Sequence, residues 1–196
     1  MKIFLATGNT KKIKEIEKIL QDFDVEILSI KDGIEIPEVV EDGDTFEANS
    51  AKKALEIARY LNIPSIADDS GLCVDALGGA PGVYSARYSG ESATDETNNE
   101  KLIKDLQGVE NRKAKFVSVI TFARPTGETY SFRGEIDGEI VDNPKGKDGF
   151  GYDPYFYVEE YKSTLAEIPE IKNRISHRAK ALEKFKENFQ DIVKKW

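Results

Sequence analysis

The stretch Ser65-Ile66-Ala67-Asp68-Asp69-Ser70-Gly71 decides how this chain is interpreted. Apolar residues lead into two adjacent carboxylates and a Ser-Gly pair, a pattern that predicts a short strand at 65–67 running straight into a turn. Side chains alternate sides along a strand, so the two acids are expected to point apart. Close negative charges repel, and a divalent cation is their usual compensation. The stretch therefore favours metal-assisted chemistry on an anionic ligand.

Strand and helix patterns alternate on either side of this stretch. Hydrophobic periodicity predicts strands at 3–6 and 25–30, helices at 12–20 and 45–60, and an acidic irregular segment at 34–44. Later patterns predict a helix at 94–106, a hairpin of strands 114–123 and 128–140, a glycine-rich loop at 143–151, and a last helix at 177–195 preceded by Lys172 on a loop. Early alternation followed by antiparallel strands predicts an α/β fold with a mixed sheet and flanking helices. With no internal repeat or linker, 1–196 is predicted to be a single domain.

Composition limits the classes of function. The chain has 196 residues, of which 39% are apolar and 33% charged, as in a soluble globular protein. A net charge of −8 argues against binding to nucleic acid or to an anionic membrane. The single cysteine, Cys73, excludes an intrachain disulfide or zinc cluster and favours a reducing compartment, hence the cytoplasm. No signal peptide or membrane span is expected.

A loop with small residues and lysines follows the first predicted strand. Its residues are Thr7, Gly8, Asn9, Thr10, Lys11 and Lys12. A strand-to-helix loop presents backbone N–H groups and the positive end of the helix dipole, which suits an anion. The second glycine and the Lys-Ser/Thr ending of a P-loop are missing, and an ordinary helix N-cap explains the same residues.

Three further segments carry candidate chemistry. Asn49 and Lys53 share one helical face, although a solvated face is the simpler explanation. The segment Phe150-Gly151-Tyr152-Asp153 could stack a base or could be a turn packed by its own aromatics. Ser176-His177-Arg178 puts cations at a helix start, where an anion is needed to favour them. Together these residues suit a nucleotide with a metal-bound polyphosphate.

Six segments occur in an order that is highly specific. They are Ala6 to Lys12, Thr45 to Ala54, Ala67 to Leu72, Gly78-Gly79-Ala80-Pro81-Gly82-Val83-Tyr84-Ser85-Ala86-Arg87, Gly149-Phe150-Gly151-Tyr152-Asp153-Pro154 and Ser176-His177-Arg178. On these segments the chain resembles, over nearly its whole length, the Ham1/RdgB family of inosine/xanthosine triphosphate pyrophosphatases.

The resemblance implies an activity, a cofactor and an architecture. It implies Mg²⁺-dependent hydrolysis of ITP, dITP and XTP to the monophosphate and pyrophosphate, which removes deaminated purines from the nucleotide pool. It also implies a homodimer, and an ITPase-like fold of two lobes around a long curved mixed sheet with the substrate in the cleft between them.

The resemblance also implies roles for individual residues. Asp69 would activate water as general base and bind the metal together with Asp68. The loop Thr7 to Lys12 and Lys53 would hold the triphosphate, and Ser70 would contact the substrate. The base-recognition residues would be Phe150, Gly151, Tyr152, Asp153, Lys172, His177 and Arg178.

One motif departs from the family pattern. Many relatives have Glu-Asn-Ala where this chain has Ala48-Asn49-Ser50, and Glu47 is displaced by one position and should point elsewhere on the helix. A further metal ligand is expected from the acidic segment before the helix, with Glu41 the better match and Glu38 the alternative.

Two other functions fit the same residues. A non-catalytic nucleotide-binding or sensing protein would keep the binding segments, and the acid pair is the feature that argues for an enzyme. A pyrophosphatase for pyrimidine or modified triphosphates would keep the acid pair and change the base pocket.

Overall fold

The computed structural model describes residues 1–21 and 23–194, apart from the side chain of Lys11. Seven strands form one sheet in the order β2-β1-β3-β4-β5-β6-β7. The strands are β1 Lys2–Leu5, β2 Glu26–Leu28, β3 Ser65–Val74, β4 Lys113–Ala123, β5 Thr129–Ile140, β6 Phe156–Val158 and β7 Ser163–Thr164. The helices are α1 Thr10–Leu20, α2 Phe46–Leu61, α3 Asp95–Asp105, α4 Pro169–Ile175 and α5 His177–Lys194.

The sheet is mixed, as predicted. β1 pairs in parallel with β2 and with β3, in registers that place Lys2 opposite Glu26 and Phe4 opposite Ser65. β6 pairs antiparallel with both β5 and β7. The predicted α/β class with a mixed sheet and flanking helices is therefore confirmed. None of the helices in the described ranges is long and apolar enough to cross a membrane.

The chain divides into two compact units. The first takes the described residues of Met1–Asp69, Ser118–Gly134 and Lys180–Trp196. Its strands are covered on both faces, because residues of β1 alternate in direction: Ile3 and Leu5 join a core with α1 and α5, whereas Phe4 joins Ala54 and Ile57 of α2. Burial on both faces fixes β1 and, through its pairing with β1, the start of β3, the strand that carries Asp68 and Asp69.

The second unit comprises Ser70–Val117 and Glu135–Ala179. Its core joins Leu72 and Val74 of β3 to Leu102 of α3 and to Phe116 and Phe156 of the neighbouring strands. α3 begins at an N-cap, Thr94, whose hydroxyl accepts a hydrogen bond from the N–H of Thr97, while the Thr97 side chain accepts one from the N–H of Thr94. This reciprocal cap fixes the first turn of α3, which faces the Phe150 segment described below.

Several boundaries differ from the sequence prediction. The predicted turn after residue 67 is wrong, because β3 continues to Val74 and the acid pair lies inside the strand. β3 is hydrogen-bonded to β4 in the sheet, and this pairing overrides the local preference of Ser70 and Gly71 for a turn. Lys172 lies on α4 and not on a loop. The short elements β6, β7 and α4 were not predicted, and Lys195, the predicted end of the last helix, lies outside the described residues.

Candidate active site

The two adjacent carboxylates of β3 have different environments. Asp68 is buried; its Oδ1 accepts a hydrogen bond from Ser118 Oγ at 2.7 Å, and its Oδ2 lies 2.6 Å from Lys12 Nζ. Asp69 is partly exposed, and its Oδ2 is buried without a hydrogen-bond partner among the described residues. The strand geometry thus separates a carboxylate with both oxygens engaged from one with an oxygen left for a ligand.

The surroundings of Asp69 favour its protonated form. Burial, followed by the negative charges of Glu41 and Asp68, raises the pKa of Asp69 to about 6, against a partial lowering by a hydrogen bond from Asn49 and by the charge of Lys12. A carboxyl group with this pKa is ionised at neutral pH but close to its protonation point. That is the range in which a carboxylate can take a proton from water efficiently.

The acidic segment before α2 is held by a buried amide. Asn49 Oδ1 accepts from the N–H of Gly43 at 2.7 Å, and Asn49 Nδ2 donates to the carbonyl oxygen of Gly43 at 3.3 Å. A Cβ at Gly43 would lie 2.8 Å from Asn49 Oδ1, so this close approach requires glycine. Asn49 therefore positions the segment that carries Glu41. The only indication of this in the sequence was that Asn49 and Lys53 share one helical face.

Glu41 and Glu38, the two candidate ligands of the acidic segment, have different environments. Glu41 is half-buried, forms an ion pair with Lys53 and is close enough to Asp69 to raise the pKa of that carboxyl group. Glu38 is exposed. Glu47 is directed elsewhere, as expected, with Oε1 2.7 Å from Arg133 Nη1.

The loop at the carboxyl end of β1 is exposed and closely hydrogen-bonded. Thr7 Oγ1 accepts from the N–H of Asn9 at 3.1 Å, and Asn9 Oδ1 accepts from the N–H of Lys12 at 3.4 Å, an N-cap on α1. Gly8, Asn9 and Thr10 are exposed. The ordinary N-cap is thus present, and it sits at the positive end of an 11-residue helix, with Lys12 directed to Asp68. The side chain of Lys11 lies outside what the structure describes.

The donor set in this unit fits a hard divalent cation held by few protein ligands. The unpartnered Asp69 Oδ2 and the neighbouring Glu41 carboxylate are oxygen donors of the kind that Mg²⁺ prefers. Within the described ranges, no three His, Cys, Asp or Glu side chains are grouped closely enough to hold a metal ion. Mg²⁺ commonly uses one or two carboxylates and completes its shell with water and substrate phosphate, so the set suits that mode.

The predicted base-recognition segment of the second unit is fixed from several sides. Asp153 Oδ2 accepts from the N–H of Phe150 at 2.9 Å and from Lys172 Nζ at 2.5 Å, and the Lys172 ammonium lies 4.8 Å from the centroid of the Phe150 ring. Tyr152 Oη donates to the carbonyl oxygen of Ser85 at 2.6 Å. Asp153 and Lys172 are both buried, so in this arrangement they shape the segment around Phe150.

The two cations at the start of α5 are also buried. His177 stacks on Phe116 with ring centroids 4.8 Å apart and planes 13° from parallel. Arg178 is 2% exposed, and its Nη2 donates to Ser70 Oγ at 3.2 Å. The structure thus brings Ser70 and Arg178 together and seats His177 against an aromatic wall that the sequence did not indicate.

Comparison with known proteins identifies a family and agrees with the fold. A model of the Ham1 family matches residues 3–188. A relative from Desulfotalea psychrophila named dITP/XTP pyrophosphatase is 53% identical over 193 residues, covering 98% of this chain and 86% of its own length.

Solved structures show the same fold. The Ham1 protein of Staphylococcus aureus superposes with a TM-score of 0.90 and 42% identity, over 98% of this chain and all of its own. A HAM1 protein from Coxiella burnetii has a TM-score of 0.92 and 37% identity, over 97% of this chain and 99% of its own. The family model spans residues 3–188, and the relative from Desulfotalea psychrophila is 53% identical over 98% of the chain, so the chain belongs to the Ham1 family.

Proposed function

We propose that this chain hydrolyses the purine nucleoside triphosphates dITP, ITP and XTP to the monophosphate and pyrophosphate. The observation that carries the proposal is Asp69, whose buried, unpartnered carboxylate oxygen and pKa of about 6 suit a general base beside a metal. The name dITP/XTP pyrophosphatase, borne by relatives about half identical over nearly the whole chain, supplies the substrate class.

Asp69 takes the proton of the attacking water. Its carboxylate is ionised above pH about 6, and its low-polarity surroundings favour accepting a proton as the reaction proceeds. Water deprotonated at this position attacks the α-phosphorus, and pyrophosphate leaves. The hydrogen bond from Asn49 and the rigid strand β3 keep the base in one orientation.

The phosphate groups bind to the lysines and the loop of the first unit. Lys53 and Lys12 are each already paired with a carboxylate, so a triphosphate can join an existing arrangement of charges. The loop before α1, where Gly8, Asn9 and Thr10 are exposed, lies at the positive end of that helix and suits a further phosphate group.

Mg²⁺ is the cofactor in this proposal, held by Asp69 and Glu41 with the remaining positions left to water and phosphate. When bound, it neutralises charge that develops on the phosphate oxygens. Asp68, predicted as a third ligand, already gives one oxygen to Ser118 and the other to Lys12. We therefore assign Asp68 to positioning Lys12.

The second unit selects the base. A 6-keto purine accepts hydrogen bonds at the position where adenine donates them. Donors such as Arg178, His177 or backbone N–H groups would pair with the keto oxygen and be left unpaired by adenine, which costs binding energy. Phe150, held by Asp153 and Lys172, offers an aromatic face for stacking. Because the substrates belong to the cell's nucleotide pool, the proposal includes a cytoplasmic location, and the family resemblance adds a homodimer.

Pyrophosphate release from a panel of nucleotides, ranked by kcat/KM with and without EDTA, tests the proposal. We expect dITP, ITP and XTP to exceed dATP by at least about tenfold, the discrimination that one unpaired buried polar group produces. Guanine shares the 6-keto group, so rejection of dGTP must act on its 2-amino group. Hydrolysis should cease when Mg²⁺ is removed. Binding without pyrophosphate release would identify a sensor, and preference for pyrimidine triphosphates would identify a different pyrophosphatase.

A further inference from the structure

The glycine in the middle of the Phe150 segment is held on both of its peptide groups by one helix. Asp95 Oδ2 accepts a hydrogen bond from the N–H of Gly151 at 2.8 Å, and Asn99 Nδ2 donates to the carbonyl oxygen of Gly151 at 2.9 Å. Asp95 and Asn99 are four residues apart on α3 and so lie on the same face. One turn of α3 thus supplies both the acceptor for the N–H of Gly151 and the donor to its carbonyl oxygen.

This grip fixes the most flexible point of the segment. The N–H of Gly151 belongs to the peptide plane shared with Phe150, and its carbonyl belongs to the plane shared with Tyr152. Glycine has the widest choice of φ and ψ, and Gly151 adopts a left-handed φ of +61°. Pinning the planes on both sides sets both dihedrals of Gly151 and, through the peptide group shared with Phe150, restricts where the backbone of Phe150 and its ring can lie.

Without these two hydrogen bonds the segment has room to rearrange. α3 and the glycine-rich loop before Phe150 line an open cavity of about 390 Å³, to which Asp95, Asn99, Gly149 and Gly151 contribute. The segment is held at its other end by Asp153, and Tyr152 is held by Ser85. Gly151 is therefore the position where loss of an anchor gives the aromatic ring new orientations.

The neighbouring residue on α3 supports the same interpretation. Asn98 Nδ2 donates to the carbonyl oxygen of Ala86 at 3.1 Å, and its Oδ1 accepts from the N–H of Ser89 at 2.8 Å, which fixes the turn that includes Ser85. Asn99 is 7% exposed, and its Oδ1 is buried without a hydrogen-bond partner among the described residues. A buried amide oxygen without a hydrogen bond costs stability. We therefore look for the benefit of Asn99 in the hydrogen bond that its Nδ2 donates to Gly151.

We propose that Asp95 and Asn99 are positioning residues for base recognition, which set the Phe150 ring by clamping both peptide groups of Gly151. The inference rests on the proposed function, because it assigns Phe150 to the base. A clamp of this kind lowers the entropy lost when the base binds, so its removal weakens binding of the base and leaves the phosphate chemistry of Asp69 intact.

The polarity of the two bonds gives a matched pair of substitutions. Asp95→Asn keeps an oxygen that accepts from the Gly151 N–H, so it should keep KM for dITP within about threefold, the scatter expected when no interaction is lost. Asn99→Asp replaces the donor by a carboxylate facing a carbonyl oxygen, so it should raise KM about tenfold or more, as Asp95→Ala and Asn99→Ala should also do. In all of these variants kcat should change much less than KM. Glu100→Ala, an exposed residue on the same cavity, serves as the control.

Equilibrium binding separates this inference from the proposed activity. Inosine monophosphate carries the base with one phosphate, whereas inorganic pyrophosphate carries no base. The Asn99→Asp and Asn99→Ala variants should bind inosine monophosphate about tenfold more weakly and pyrophosphate as the parent chain does. This readout holds even if the parent chain binds nucleotides without hydrolysing them, a result that would refute the proposed function alone.

Unfolding temperatures of all variants identify any that are misfolded, and Asp95→Asn provides a folded partner for comparison. Equal losses of inosine monophosphate and pyrophosphate binding, or equal KM values for Asp95→Asn and Asp95→Ala, would overturn the clamp.

Discussion

The two units treat their charged groups in opposite ways. In the first, Lys12 and Lys53 pair with Asp68 and Glu41 beside a carboxylate oxygen of Asp69 that has no partner in the described chain. In the second, the buried pair Asp153–Lys172 and a series of backbone hydrogen bonds hold one segment in a single shape. The first arrangement can exchange partners with an anionic ligand, and the second can only keep or lose its shape. Exchangeable ion pairs thus characterise the unit assigned to the phosphate chemistry, and fixed hydrogen bonds characterise the unit assigned to base selection.

The largest expected effect comes from removing the general base, Asp69, of the first unit. Asp69→Asn keeps the size of the side chain but cannot take a proton, so kcat for dITP should fall by ~10²–10⁴-fold, the usual contribution of a positioned general base. The dissociation constant for inosine monophosphate should change by no more than about threefold, because the purine base of this ligand is assigned to the second unit. Steady-state kinetics and calorimetry measure both quantities. Near-normal kcat would remove Asp69 from the role assigned to it.

The next largest effect is a loss of stability when the buried ion pair of the second unit is broken. Lys172→Met leaves the buried Asp153 without its cation, and breaking a buried pair costs about 3–5 kcal/mol. Lys162→Met, which breaks an exposed pair with Glu159, is the matched control and should lose far less stability than Lys172→Met. Denaturant unfolding monitored by circular dichroism compares the two. Similar small losses in both variants would mean that the Asp153–Lys172 pair does not hold the segment.

A smaller effect is expected at the other acid of the pair. Asp68→Asn keeps an acceptor for Ser118 but removes the charge that holds Lys12, so KM for dITP should rise about tenfold. The Mg²⁺ concentration for half-maximal rate should stay unchanged, because Asp68 is assigned to Lys12. A shift of that concentration by tenfold or more would restore Asp68 to the metal-binding set.

The smallest effect is a gain in stability when Asp69 is neutralised. Folding raises the pKa of this carboxyl group from 3.8 to about 6, so the folded state favours the protonated form. The stabilisation is present in full below pH about 4 and is lost as pH rises through about 6. In EDTA, the free energy of unfolding of Asp69→Asn should therefore exceed that of the parent chain by roughly 1–2 kcal/mol at pH 8, once solvent screening is allowed for. At pH 3.5 the two free energies should be equal. Denaturant unfolding at the two pH values measures the gap, and a constant gap would contradict the cause given for the pKa.

The long amphipathic elements and the order of the motifs were predictable from the sequence. Thr45 and Thr94, where two helices were predicted to start, are the N-caps of α2 and α3. The continuation of β3 through Ser70 and Gly71 was not predictable locally, because pairing within the sheet and not the preference of these residues decides it. The two-residue and three-residue strands β7 and β6 carry too few residues for a period to be recognised.

The candidate site was predictable where residue type and motif coincide, as at Asp69, and less so where a residue acts through another. Ser118 is one polar residue in a buried strand, and its bond to Asp68 spans 50 positions of sequence. Asp95 and Asn99 are separated from Gly151 by more than 50 residues, and only the packing of α3 brings them to it. Long-range partners of this kind have no periodic signature.

Hydrolysis of dITP in water enriched in ¹⁸O tests the central claim most directly. Attack of an Asp69-activated water on the α-phosphorus places one ¹⁸O atom per turnover in the phosphate of dIMP and none in pyrophosphate, which mass spectrometry of the two products resolves. We expect that labelling pattern, with unlabelled pyrophosphate as the other product. Label in pyrophosphate, or release of orthophosphate in its place, would contradict it.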